Sequence, residues 1–185
     1  AAALETKNFR WPYLAALGLI DEGIPGSSSL LEEARARNSN YAPLLVHLGE
    51  AYLAEDKPAK ARKPFEAALK LQPSLTRADF GLAKADRAEK KYDQVLTRLQ
   101  RLISQKSESY EILQMYVDVL NTVGEKEKLL EVESLYQTIL AQKSGTVAFS
   151  DPVRDAYEAE GVSKYWRYKN GLQHMEYGRY REAIA

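Results

Sequence analysis

Two histidines, His47 and His174, are the first places to look for chemistry in this chain of 185 residues. Glu50 follows His47 by three positions and Tyr177 follows His174 by three, so each pair shares a helix face. General acid–base work needs such proximity, and a metal needs several such ligands to converge. Pairs at this spacing are common by chance. The chain contains no HExxH, GxSxG, GxxxxGK(S/T) or GxGxxG pattern. The acidic string Asp151, Asp155, Glu158 and Glu160 lacks the alternating spacing and turn glycine of a calcium loop, and reads as a solvated helix face. Cysteine is absent, which excludes disulfides, thiolate zinc sites, iron–sulfur clusters and a cysteine nucleophile. No catalytic, cofactor-binding or metal-binding set is expected, and the chain is not expected to be an enzyme.

Aromatic residues offer a second kind of chemistry. Twelve tyrosines are present, and Tyr165, Trp166 and Tyr168 interleave with Lys164, Arg167 and Lys169. That pattern suits stacking on single-stranded nucleic acid. Yet Lys plus Arg and Asp plus Glu number 26 each, so the basic excess of a polyanion binder is missing. Core filling or groove lining is the expected role, and nucleic acid is not an expected partner. The longest apolar runs, such as Tyr13–Ile20, fall short of the roughly 20 residues that span a bilayer, so no membrane span is expected. No basic start leads into an apolar signal core. The opening AAALE and the closing GRYREAIA, which stops inside a helical pattern, are expected to be the cut ends of a longer protein.

The elements that position these side chains are organised around residues 42–75. Small residues, Gly49, Ala61 and Ala68, sit where two helices must touch, and Leu45, Leu48, Tyr52 and Phe65 fill the space beside them. Pro73 ends the second helix. One such pair cannot bury its apolar face alone, so neighbours of the same plan are required. Residues 8–41, 76–109 and 110–143 supply them at a period of 34. Trp11 and Leu45 are one period apart; so are Ala15, Gly49, Ala83 and Val117; Leu31, Phe65 and Leu99; and Ala34, Ala68 and Leu102. Pro12 suits a first helical turn, Gly23, Pro25 and Gly26 break the helix, and Ser29 with Glu32 has the spacing of a capping box. Asp86 stands where Tyr52 stands, a departure from the plan. Residues 144–163 interrupt the period. Ser150 or Asp151 before Pro152 predicts the start of a short helix there, which either spaces the array or adds a binding element. A fifth unit begins near Lys164 and is cut off at Ala185, which predicts an exposed apolar end that another molecule could cap.

A helix–turn–helix unit of this length resembles the tetratricopeptide repeat, TPR. Leu48, Gly49, Tyr52, Ala61, Phe65, Ala68 and Pro73 fall where that family places them. The resemblance implies an all-α fold, a right-handed α-α superhelix of antiparallel helix pairs. FRWPY at the start, DPV and GVS in the interruption and GRYREAI at the end also resemble the TPR regions of large exported bacterial proteins that carry propeller or c-type cytochrome domains. That likeness implies a bacterial, periplasmic or exported origin.

In TPR arrays the first helix of each pair lines a concave surface. Carried over by position, the peptide-binding residues are Tyr13, Val46, Glu50, Leu53, Phe80, Lys84, Arg87, Gln114 and Asp118. The family's clamp for a terminal carboxylate uses Lys and Asn. Val46 and Glu50, then Phe80 and Lys84, stand at the matching positions, so a chaperone tail is not the expected ligand. An apolar floor beside a charged wall suits an amphipathic helix or an extended segment. The expected function is a non-enzymatic scaffold that binds a protein or peptide in its groove. The alternative is a structural spacer or self-assembly module of a larger exported protein, forming homo-oligomers through the truncated C-terminal end.

Overall fold

The computed structural model describes residues 8–105, 109–142, 147 and 149–159. Nine helices and no strand occur among them. They are α1 (Arg10–Asp21), α2 (Ser27–Arg37), α3 (Ala42–Ala54), α4 (Pro58–Leu71), α5 (Thr76–Ala88), α6 (Tyr92–Ser104), α7 (Tyr110–Val123), α8 (Lys126–Gln142) and α9 (Pro152–Ala159). Prolines mark several starts, at Pro43, Pro58 and Pro152, because the first turn has no use for their missing N–H. Among the described residues no helix is long and apolar enough to cross a membrane. The fifth unit at 164–185, with its aromatic cluster, His174 and the expected apolar end, lies outside the described residues.

The first helix of each pair ends in a left-handed residue. Asp56, Lys90 and Gly124 have φ of 56°, 59° and 81°, and each lies 34 positions from the next. Behind them the amides of Lys57, Lys91 and Glu125 bond back to the carbonyls of Tyr52, Asp86 and Leu120 at 2.8, 2.9 and 3.0 Å. This six-to-one bond satisfies carbonyls that the helix end would otherwise leave open. The start of α2 differs from expectation. It begins at Ser27, with Gly26 at φ 102° before it. Glu32 is drawn away to Arg35 and to the hydroxyl of Tyr52 at 2.6 Å, so no capping box forms with Ser29.

The chain divides into two units. The first holds the described residues up to Lys57 together with 150–159, and the second runs from Pro58 to Phe149. In the first unit α1 packs on α2 and α2 on α3. Trp11 to Leu19 of α1 and Ala42 to Gly49 of α3 are buried throughout, which fits helices that are apolar on every side. In the second unit each helix from α4 to α8 packs on the next. Phe80, Val95, Leu99, Leu102, Ile112 and Leu120 belong to its core. Every residue of the four periodic sets, from Trp11 and Leu45 to Ala34, Ala68 and Leu102, is buried.

Asp86 explains the irregularity of residues 76–109. It is fully buried, yet Arg62 reaches it at 2.6 Å and Arg98 at 3.3 Å. Asp79, also buried, takes Arg98 at 2.7 Å and Arg101 at 2.5 Å. Two carboxylates thus replace large apolar fillers on α5. Arginines from α4 and α6 neutralise them, as burial of charge demands.

Candidate functional site

In the first unit residues 150–159 of the interruption dock on the helices, and Asp151 is their anchor. Pro152 opens α9, and Asp151 caps it: the Arg154 amide donates to Asp151 Oδ1 at 3.2 Å. The same carboxylate accepts the hydroxyls of Tyr13 from α1 and, at 2.6 Å, of Tyr41 from just before α3. His47 Nε2 of α3 stands 3.6 Å from it, and His47 Nδ1 is 3.5 Å from Glu50. The Val153 amide donates to the Tyr41 hydroxyl at 3.1 Å. Further along, Arg154 pairs with Asp21 at 3.3 Å, and the Tyr157 ring meets Trp11 edge-on at 6.4 Å. Phe9, Tyr13 and Tyr41 form a mutual aromatic contact around the anchor.

These contacts set the charge states. Burial works to raise the Asp151 carboxyl, but His47, Tyr13 and Tyr41 outweigh it and hold its pKa below the ordinary value. Burial works to lower the His47 imidazole, and Asp151 and then Glu50 overcome it, so its pKa is raised. The Tyr13 and Tyr41 hydroxyls are pushed up, first by burial and then by Asp151, so both stay protonated as donors. A carboxylate held by two phenols and faced by an imidazole makes a docking anchor.

In the second unit side chains of α5 and α7 form a polar set. Lys84 Nζ lies 4.5 Å from the centre of the Phe80 ring and covers it. Arg87 faces Asp118 at 3.6 Å, with Arg87 exposed and Asp118 half-buried. The Gln114 amide donates to Asp118 at 2.9 Å, and its carbonyl accepts the hydroxyls of Tyr110 and Tyr136. Lys84, Arg87, Ala88 and Met115 line a depression between the two helices. The remnant of the interruption lies here too. Arg77 donates to the Val147 carbonyl at 2.7 Å and stands 5.7 Å from the Phe149 ring, and Val147 is buried in the core.

The nine positions carried over from the repeat pattern therefore separate. Tyr13, Val46 and Phe80, expected on an open surface, are buried. Tyr13 is turned onto Asp151, and Phe80 lies under Lys84 and in the core with Val147. Glu50 and Leu53 in the first unit and Lys84, Gln114 and Asp118 in the second are half-buried, and Arg87 is exposed.

Solved structures similar to the chain include two of MamA. A crystal structure of MamA is 18% identical, with a TM-score of 0.56 over 86% of this chain and 91% of that one. A crystal structure of MamA protein is 14% identical, with a TM-score of 0.61 over 97% and 90%. The likeness shows the fold: an all-α solenoid of the TPR-like kind. No protein-family model and no curated protein matches the chain.

Tyr41, Asp151 and Arg154 were not among the residues that the repeat pattern supplies. Tyr41 is the last residue of the 8–41 repeat, beyond its second helix, and Asp151 and Arg154 fall outside the period altogether. One local signal pointed to Asp151, the acid before Pro152 that marks a helix start. Nothing local ties it to Tyr13, 138 positions earlier.

Proposed function

We propose that the chain is a non-enzymatic member of the TPR family that binds a segment of another polypeptide. The observation that carries this reading is the polar set of the second unit, with Lys84, Arg87, Gln114 and Asp118 beside Met115 on adjacent inner helices. The Arg87–Asp118 pair lies at the surface, with both side chains more than a third exposed, and surface pairs are worth about 0–1 kcal/mol. Both charges are thus easily re-paired with a ligand of mixed charge. In that role they set orientation and association rate more than affinity. Glu50 and Leu53 serve in the same way in the first unit. Tyr13, Val46 and Phe80 support the surface from beneath. The test is affinity capture from the native cell extract with the wild-type chain and with Lys84→Glu plus Arg87→Glu. Loss of a specific partner, with the helical circular dichroism unchanged, is the expected result. Unchanged recovery of every wild-type partner would overturn the reading.

A second reading is self-assembly within a longer exported protein. Leu130 of α8 is 77% exposed, which favours an apolar contact of some kind. Light scattering at high protein concentration separates the two readings, because a strict monomer contradicts self-assembly.

A further inference from the structure

Residues 150–159 relate to the first unit as a ligand relates to a receptor. Five of the eight residues of α9 are exposed, and only Val153 is buried. The segment is held by polar and aromatic side chains at four points: Asp151, the Val153 amide, Arg154 and Tyr157. The partners at these four points lie more than 100 positions earlier, in α1, α3 and the Tyr41 turn. An isolated helix of eight residues is marginal in water, so α9 depends on this docking and on its Asp151 cap. The receiving side, by contrast, is built from helices with cores of their own. Tyr13 and Trp11 belong to α1 and His47 to α3, both packed through α2.

We infer that the first unit carries a receptor for an acidic side chain at the start of a short helix, and that residues 150–159 occupy it as a built-in ligand. The recognition chemistry is specific. Two phenol donors and an imidazole converge on one carboxylate, with Asp21 placed to take a basic residue three positions further on and Trp11 to take an aromatic ring after that. An external polypeptide with an acidic residue, a basic one at the third position after it and an aromatic one at the sixth would compete for the same place. This rests on the scaffold reading and narrows the partner class for the first unit. The Lys84 and Arg87 surface of the second unit is a separate matter.

The test uses the whole chain and a fluorescent peptide of residues 150–159, SDPVRDAYEA. The Asp151→Ala chain should bind the peptide saturably and at least tenfold more tightly than the wild-type chain, whose receptor is occupied. A peptide with alanine in place of its aspartate should not bind. Adding Tyr13→Phe and Tyr41→Phe to the Asp151→Ala chain should weaken binding at least tenfold. Equal binding to the wild-type and Asp151→Ala chains, or no binding to a folded Asp151→Ala chain, would overturn the inference. Should Asp151→Ala lose its helical circular dichroism, Arg154→Ala with Tyr157→Ala releases the segment at its part-exposed anchors. That chain must then bind the peptide more tightly than wild type, or the inference fails. Loss of peptide binding alone, with charge reversal at Lys84 and Arg87 still abolishing partner capture, would remove this inference and leave the scaffold reading standing.

Discussion

Gly81 of α5 lies directly against the ring of Phe65 from α4. A Cβ added at Gly81 would clash with two of the ring's carbons, and Phe65 is fully buried. Gly81→Ala should therefore destabilise by about 1–3 kcal/mol, the usual cost of overpacking a core. Phe65→Leu removes the ring, so the added cost of Gly81→Ala should shrink in that background. Urea unfolding of the four proteins measures both effects, and strict additivity would contradict the contact.

Lys90 closes α5 with φ 59°, a conformation that costs a side chain roughly 1–2 kcal/mol and costs glycine little. Gly124 fills the corresponding place after α7. Lys90→Gly should stabilise the chain by about 0.5–1 kcal/mol, the relief of strain less the extra freedom gained by the unfolded chain. Lys90 is exposed, so no packing is lost. A lower melting temperature for Lys90→Gly would show that the turn is not under the strain its dihedral implies.

His47 makes the docking of α9 sensitive to pH. Its pKa is raised above the ordinary imidazole value of about 6.5, with burial working against the rise and Asp151, then Glu50, overcoming it. The folded chain thus holds this proton more tightly than the unfolded chain does. The contribution is complete below about pH 6.5 and is lost as pH rises through the folded value. Asp151 has the opposite sign. Its pKa lies below 3.8, so its contribution is present above that pH and disappears as pH falls through the folded value. His47→Gln should accordingly cost more stability at about pH 5.5 than at about pH 9. Equal costs at the two values would show that the imidazolium does not act on Asp151.

The helical register was readable in the sequence because it rests on local size and spacing. Ala61, Phe65 and Ala68 are buried where their spacing demanded, and the glycines at 23, 26 and 124 turn the chain with positive φ. The left-handed turns at Asp56 and Lys90 were not legible from residue type, though both stand at the period of Gly124. Asp86 looked like a lapse in the pattern. Its compensation was also present in the sequence, as Arg62 and Arg98 on the flanking helices, but only the packing of α4, α5 and α6 shows that they meet. The fate of Tyr13 and Phe80 was hidden for a different reason. Positional transfer assumes an open inner face, whereas Asp151 bonds Tyr13 and Val147 joins the core of Phe80, each from far along the chain.

Anchoring of α9 through Asp151 is tested most directly by a double-mutant cycle between Tyr41→Phe and Asp151→Ala, read by urea unfolding. The Tyr41 hydroxyl donates to the carboxylate at 2.6 Å and accepts the Val153 amide at 3.1 Å. Hydrogen bonds to a charged group contribute about 1.5–3 kcal/mol, and Tyr41 is only half-buried, so a coupling energy of about 1–2 kcal/mol is predicted. Effects that add to within about 0.3–0.5 kcal/mol would mean that the two residues do not meet in solution, and the docked segment would lose its anchor.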